Sequence, residues 1–366
     1  MNSFIRFSIP FFLSLSALVT TAHADAAPLS GKPGTSADRS SSREENEEFA
    51  NFVQWREVGE FIDQIVAKHG FNRTELESVF GKTRYVERTI QLVKPAPPGQ
   101  PKNWRAYRGR FVEPVRINAG VAFWDQYADA LARAEAEYKV PAEIIVGIIG
   151  VETIYGRNTG NFRVMDALTT LAFAYPDTPN RTSRIAFFRG EVANTLLLAR
   201  ESGIDPFSLS GSYAGAIGWP QFMPGSIRQY AVDFDGDRKI DLSGSPVDAI
   251  GSVANFLVRH GWKPGEPLVF PATVTGDGAN RWQDLIGKGL VADYRLDELE
   301  ATGVVPGTEL PEHLLYGLVD LQNGFEPTEY WIAANNFFSI TQYNRSYFYA
   351  MSVIELGRAV KASRER

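Results

Sequence analysis

The stretch 140–156, VPAEIIVGIIGVETIYG, limits what this chain can become more than any other part of it. Pro141 suits a first helical position, Glu143 the positive N-terminal end of a helix, and Gly156 a stop. Between them Ile144, Ile145, Val146, Ile148, Ile149 and Val151 leave no polar face, so this helix must lie inside the protein. Gly147 and Gly150 allow another backbone to approach it closely. A single acid, Glu152, interrupts the apolar run near its C-terminal end. A buried charge is costly unless paired, so the usual outcome is a raised pKa and a protonated carboxyl. A carboxyl that keeps its proton at the floor of a cleft meets the requirement for a general acid in glycoside cleavage. The alternative is a structural glutamate, paired with Arg157 or Arg163 or turned outward at the helix end.

At 366 residues and 44% hydrophobic content, the chain can bury such a helix within two or three domains. Its net charge of −6 argues against nucleic acid as the main partner. His23, His69, His260 and His313 do not cluster, so a zinc site is not expected. Residues 1–24 read as a secretory signal: Arg6 supplies the positive charge, 7–19 the apolar core, and Ala22-His23-Ala24 the cleavage site. That apolar run is too short to cross a bilayer about 30 Å thick. The sequence contains no cysteine, hence neither a disulfide nor a lipid-modified cysteine. An exported, soluble protein is expected.

Residues 25–48 are Ser, Pro, Gly and charge, and read as a disordered tether. Val58, Phe61, Ile62, Ile65 and Val66 then recur at helical spacing up to Gly70. Asn72 with Glu75 suits a capping box for a short helix ending at Gly81. An extended linker, 94–102, follows. Asn118 can cap a longer helix running to Tyr138, with Val121, Trp124, Ala128 and Leu131 inward. Beyond the central helix, 166–175 and 185–201 read as helices, and Ser245-Pro246-Val247-Asp248 opens one that stops at Gly261. From about 264 the composition turns to strands: LVFPATV, a TGDG turn, and LLYGLVDLQNGFEPTEYWIA joined at Asn323-Gly324. Helices resume near 335. The divisions expected are an N-terminal helical domain 49–139, a catalytic core 140–263, a small β domain 264–334, and C-terminal helices 335–366 returning to the core.

Two further segments carry chemistry. In DFDGDRKID, 233–241, oxygens recur at Asp233, Asp235, Asp237 and the Lys239 carbonyl, Gly236 permits the turn, and Ile240 can anchor the loop. This is an EF-hand-like arrangement, suited to Ca²⁺ with its six to eight oxygen ligands. Arg238 stands where that pattern expects glycine, and Gly244 where it expects the closing glutamate; Asp248 can close the site from a longer loop, or cap its helix with Ser245. A plain acidic turn is the alternative. In GSYAGAIGWPQFMPGS, 211–226, glycines let a ligand approach the backbone. There Ser212 and Gln221 offer hydrogen bonds, and Tyr213, Trp219 and Phe222 offer flat faces for sugar rings or simply core. Gln221 needs a partner in such apolar company. Tyr107, Tyr343, Tyr347 and Tyr349 put hydroxyls on apolar rings, useful at a carbohydrate groove and equally at a half-buried helix start. Asp166 either caps its helix or serves as a second carboxylate.

Taken in order, PAEIIVGIIGVETIYGR, GSYAGAIGWPQFMPGS, and QYAVDFDGDRKIDL followed by PVDAIGSVANFLVRHGW resemble the B-type membrane-bound lytic murein transglycosylases, from about residue 49 to the C-terminus. The resemblance implies a mainly α fold, a lysozyme-like helical core with an additional helical domain and a small β-containing insert. It places Glu152 on the family's sole catalytic acid/base. Ser212, Gln221, Tyr107, Tyr343 and Tyr349 fall on the glycan groove, and Asp233, Asp235, Asp237, Lys239 and Asp248 on a structural Ca²⁺ site. It implies a periplasmic enzyme acting on peptidoglycan glycan strands, cleaving N-acetylmuramic acid from N-acetylglucosamine with formation of a 1,6-anhydromuramic acid end. Cell-wall synthesis enzymes are the protein partners it suggests; no organic cofactor, nucleic acid or membrane anchor is expected, and the lipoprotein members' N-terminal cysteine is absent here. A water-using muramidase and a non-catalytic peptidoglycan-binding scaffold are the competing readings.

Overall fold

The computed structural model describes residues 51–95, 99, 101–275 and 281–366; the expected signal, the tether and residues 276–278 of the TGDG turn lie outside them. The chain forms two compact units that cut across its linear order. One joins residues up to Lys94 with Asn161–Gly215; the other joins Pro95–Gly160 with Ala216–Arg366. The expected core stretch 140–263 is thus divided between the two.

In the first unit, helices Arg56–His69, Arg73–Lys82, Glu87–Val93, Val164–Ala174 and Arg181–Ser202 surround an aromatic cluster. Phe61 meets Phe80 and Phe173 edge-on, with centroids 6.1 and 5.6 Å away. Gly70 ends its helix in the left-handed conformation, as expected. The Asn72 side chain accepts from the Glu75 amide, a cap without the reciprocal half of a box. A short antiparallel pair, β1 (Phe162–Arg163) and β2 (Ser210–Gly211), closes the unit.

The second unit is built on helix Ala142–Thr153, buried at every position except its two acids, Glu143 and Glu152. The C-terminal helix Tyr347–Arg364 lies against it. A Cβ on Gly147 would sit 2.3 Å from the Val353 carbonyl oxygen, and one on Gly357 would sit 2.1 Å from that of Glu143. Only two glycines facing opposite ways permit this approach. Glu143 pairs with Lys361 at 2.7 Å, holding the register at one end. The helix expected from Asn118 to Tyr138 is instead two, Pro114–Gln126 and Ala128–Tyr138, broken at Tyr127. Asn118 lies inside the first because Glu113 caps it, its carboxylate accepting from the Val115 and Arg116 amides at 2.7 Å each.

The β insert is one antiparallel sheet, β3 (Val269–Val274), β4 (Val304–Pro306), β5 (Tyr316–Asn323) and β6 (Glu326–Ala334), in the order β4-β3-β6-β5. β4 and a preceding helix, Leu296–Ala301, were not legible in the strand pattern. Asn323 pairs with Glu326, so the hairpin turn is Gly324-Phe325, one residue beyond the expected Asn323-Gly324. Asn323 is buried and anchors helix Trp104–Arg108 instead. Its Oδ1 accepts from the Arg105 amide at 3.0 Å while its Nδ2 donates to the Pro327 carbonyl at 3.2 Å.

The helix crossing gives a first prediction. Gly357→Ala gains about 1 kcal/mol of helix propensity, yet its methyl meets a backbone oxygen that cannot give way. The expected net effect is a loss of about 1–2 kcal/mol, typical of overpacking. Calorimetry checks it: a melting midpoint at or above wild type would contradict the reading.

Candidate functional site

The chain reverses immediately after Glu152. Helix Ala142–Thr153 stops three residues short of Gly156, and Ile154, Tyr155 and Gly156 all take positive φ, at 52°, 54° and 82°. For a β-branched and an aromatic residue this costs about 1 kcal/mol or more each. Packing holds them there. The Tyr155 hydroxyl lies between two helices where Cβ atoms on Gly120 and Gly150 would stand 2.5 and 2.4 Å away. Gly156 makes room for Trp219, whose ring carbon would be 2.6 Å from a Cβ. The Thr153 hydroxyl donates to the Trp219 carbonyl at 2.9 Å and accepts from the Gly156 amide at 3.0 Å. The reversal leaves Glu152 at the very end of a buried helix, half-buried itself.

Three of the tyrosines singled out in the sequence gather around that carboxyl. Tyr349 is buried and its hydroxyl donates to Glu152 Oε1 at 2.6 Å. Tyr343 stacks on Tyr349 with centroids 6.2 Å apart and planes 15° from parallel, and its hydroxyl donates to the Pro220 carbonyl. Tyr107 packs on Phe111 and Phe348, at 5.0 and 5.5 Å, and stands close enough to feel the Glu152 charge. Tyr347 points elsewhere, donating to the Gly289 carbonyl.

Burial pushes the Glu152 carboxyl up to about 7, against the opposing pull of the Tyr349 donor, which favours the carboxylate. The same burial, with the Glu152 charge second, holds Tyr349 and Tyr343 well above the ordinary phenol value and Tyr107 at about 12. All three remain neutral donors. No ion pair reaches Glu152 among the described residues, so the structural alternative with Arg157 or Arg163 is not what forms. Arg163 is engaged with Asp166, Nε to Oδ2 and NH2 to Oδ1 at 2.7 Å each. Asp166 also accepts from the Arg84 amide at 2.9 Å, so this carboxylate is committed within its own unit.

Gln221 finds its partners in backbone: Nε2 donates to the Gly218 carbonyl at 2.9 Å and the Thr159 carbonyl at 3.1 Å. With φ at 51°, the residue itself is the sharp point of the glycine-rich loop. Ser212 belongs to the other unit, buried beside β2. Phe222 is core, between Phe256 and Tyr343, and Trp219 is braced by its Nε1 bond to the Ser243 carbonyl at 3.1 Å. Phe222 offers no open face to a ligand, whereas Trp219 is half-buried.

In the acidic loop, carboxylate oxygens of Asp233, Asp235 and Asp248 lie within 4.8 Å of one another, an all-oxygen set that fits a hard divalent cation. Asp237 lies outside that convergent group, its Oδ1 turned to the Lys239 amide at 2.8 Å. Asp248 resolves its two expected roles differently. The Ser245 hydroxyl caps its amide at 3.1 Å, but its carboxylate goes to the loop, accepting from the amides of Phe234 at 2.7 Å, Asp235 at 3.2 Å and Asp241 at 2.9 Å. Arg238 adopts the left-handed conformation, φ 71°, that the expected glycine would take without strain. Ile240 is half exposed, so the anchors are Phe234 and Leu242, both buried.

Sequence reasoning missed Arg116, whose Nε donates to the Gly150 carbonyl at 2.9 Å, two residues before the acid. Its spacing from Ala119, Gly120 and Phe123 marks the inward face of its helix, and that was the available signal.

The Tyr349–Glu152 bond gives a signed prediction. Because the phenol stabilises the carboxylate, Tyr349→Phe should raise the Glu152 titration above its wild-type position near 7. A ¹³C NMR titration of the assigned Glu152 carboxyl reads this directly; a downward shift would contradict the assignment of the donor.

The chain resembles known proteins over most of its length. Residues 53–358 match the family model described as Transglycosylase SLT domain. The chain is 43% identical over 314 residues to membrane-bound lytic murein transglycosylase B of Escherichia coli (strain K12), covering 83% of this chain and 82% of that protein. Among solved structures, soluble lytic transglycosylase SltB1 from Pseudomonas aeruginosa is 44% identical, with TM-score 0.76 over 85% of this chain and 100% of that one. The Escherichia coli lytic transglycosylase Slt35 in complex with calcium is 41% identical, with TM-score 0.75 over 87% and 96% of the two chains. The fold is therefore the mainly helical, lysozyme-like one of these enzymes, and the chain belongs to the SLT-domain family of lytic murein transglycosylases.

Proposed function

We propose that this protein cleaves the β-1,4 bond between N-acetylmuramic acid and N-acetylglucosamine in peptidoglycan, with Glu152 as its one acid and base. The observation that carries this reading is a half-buried carboxyl, pushed up to about 7 by its burial, that accepts from a tyrosine hydroxyl and meets no cation among the described residues. Glycosidases that use water normally carry a second carboxylate as nucleophile or base. What acts on Glu152 here is burial and the Tyr349 hydroxyl; no carboxylate of the described residues is among the causes of its shift.

The chemistry then balances within the sugar. Glu152 gives its proton to the glycosidic oxygen as the bond to C1 of N-acetylmuramic acid breaks, and the sugar's N-acetyl oxygen stabilises the positive charge at C1. The Glu152 carboxylate next takes the C6 hydroxyl proton as that oxygen bonds to C1. The products are a free N-acetylglucosamine hydroxyl end and a 1,6-anhydromuramoyl end, with no water consumed. The attack is intramolecular, so it gains a large effective concentration. Tyr349 tunes the acid, Tyr107 and Tyr343 form the apolar, hydroxyl-bearing wall beside it, and Gln221, at the sharp point of the glycine-rich loop, is the further groove residue of the same unit.

A Ca²⁺ ion in the 233–248 loop, held by Asp233, Asp235 and Asp248 with the Lys239 carbonyl, would stiffen the fold without entering the reaction; Asp237 would join them only by leaving the Lys239 amide. The oxygen cluster and the calcium complex of the related Slt35 support it. The charged, apolar and small-residue order of 1–24 supports export to the periplasm, where the substrate is found.

Two outcomes follow. Glu152→Gln should unfold cooperatively yet release about 10²–10⁴-fold fewer anhydromuropeptides from purified sacculi; mass spectrometry counts them, and reducing ends in the wild-type digest would favour a muramidase instead. Ca²⁺ should raise the melting midpoint by several degrees relative to a chelator-treated sample, since about 2.7 kcal/mol is gained at a hundredfold excess over Kd, and Asp248→Asn should abolish most of that rise. A midpoint indifferent to Ca²⁺ would remove the ion from the account.

A further inference from the structure

Arg116 is only 8% exposed, and burial works against its charge, with Glu113 the largest offsetting influence. A guanidinium is rarely left in such a place unless its donors are spent. Here they are spent on two backbone carbonyls from two different segments. Nε donates to Gly150 at 2.9 Å, a carbonyl that also accepts the Ile154 amide at 3.2 Å as the helix ends. NH1 donates to the Arg110 carbonyl, three residues beyond Tyr107. The flat group also lies over the Phe111 ring at 5.2 Å, and Phe111 in turn touches Tyr107 at 5.0 Å. One side chain therefore bonds the end of the segment carrying the acid and the end of the segment carrying Tyr107.

We propose that Arg116 is a positioning residue, a rigid brace that fixes the helix end bearing Glu152 against the 104–111 segment bearing Tyr107. It rests on the role proposed for Glu152 but touches no reacting atom. The brace matters because the turn after Glu152 is strained: Ile154 and Tyr155 hold positive φ only while the surroundings impose it. Release of the Gly150 carbonyl would let that turn relax and the carboxyl leave its place beside Tyr349. The planar fork is essential, since a lysine carries the same charge but cannot reach two carbonyls in fixed directions. The hydroxyls facing Glu152 are those of Tyr349, Tyr343 and Tyr107; the groups facing Arg116 are the Glu113 carboxylate, 3.8 Å away, and the Tyr155 hydroxyl.

Arg116→Lys in the full-length chain tests this. Circular dichroism and thermal unfolding establish that the variant is folded, and a ¹³C NMR titration then follows the Glu152 carboxyl. The expected result is a titration moved clearly below the wild-type position: burial is the larger influence on this carboxyl, so water reaching it outweighs the loss of the Tyr349 donor. A fall in kcat of about tenfold or more per folded molecule should accompany it, since a misplacement of about 1 Å can cost a hundredfold. A folded Arg116→Lys protein in which Glu152 titrates as in wild type would overturn the proposal, whatever its melting midpoint. Should that variant fail to fold, Arg116→Gln, able to donate to only one of the carbonyls, is read by the same titration and the same criterion. The titration requires no turnover, so a wild-type enzyme that made no anhydromuramoyl ends would undo the proposed reaction and leave this test standing.

Discussion

Two helices touching backbone to backbone are what the rest of this protein depends on. Gly147 and Gly357 remove the side chains that would otherwise separate helix Ala142–Thr153 from the C-terminal helix. That approach brings a phenol from one helix to the carboxyl of the other. A larger residue at either glycine would push the two helices apart and separate the acid from the phenol that moderates the effect of its burial. The crossing, the strained turn after Thr153 and the glycines at 120, 150 and 156 form one fitted arrangement.

Keeping a proton on Glu152 opposes stability. Its folded pKa, about 7, lies above the ordinary 4.5, so between those values the unfolded chain releases a proton that the folded chain retains. Stability therefore falls as pH rises through that window and levels off above it, by about 3 kcal/mol at most, less for the group's partial exposure. Below the window both states are protonated and the cost vanishes. Most domains have only about 5–15 kcal/mol of stability to draw upon. The buried core of the central helix, unbroken from Ile144 to Val151, is large enough to carry such a burden.

Much of this was legible in the chain itself. The run of aliphatic residues from Ile144 to Val151 fixed a buried helix, its lone acid stood out against them, and the ordered motifs pointed to the tyrosines that gather around it. What escaped notice did so for physical reasons. A reversal built on positive φ at Ile154 and Tyr155 opposes local preference, so only tertiary packing reveals it. Glu113 took over the capping role given to Asn118 because Pro114 is well placed to begin a helix. Arg116 drew no reading from the sequence, since sequence shows neither of the carbonyls it serves. Trp219 and Phe222 had the composition of a sugar platform, but Trp219 packs against Gly156 in the acid's turn and Phe222 fills space between Phe256 and Tyr343. The division of 140–263 between two compact units depends on pairings between distant segments, such as Arg84 with Asp166, that no local pattern records.

The Tyr349–Glu152 bond spans 197 residues, and Tyr349 lies in the last helix of the chain. During synthesis, therefore, the acid emerges long before its hydrogen-bond donor, and before the helix that covers the glycine face of its own. A chain interrupted anywhere short of that helix lacks both the Tyr349 donor and the surface that packs on Gly147. Maturity is thus written into the order of the segments: the environment of the acid is complete only when the last helix has docked.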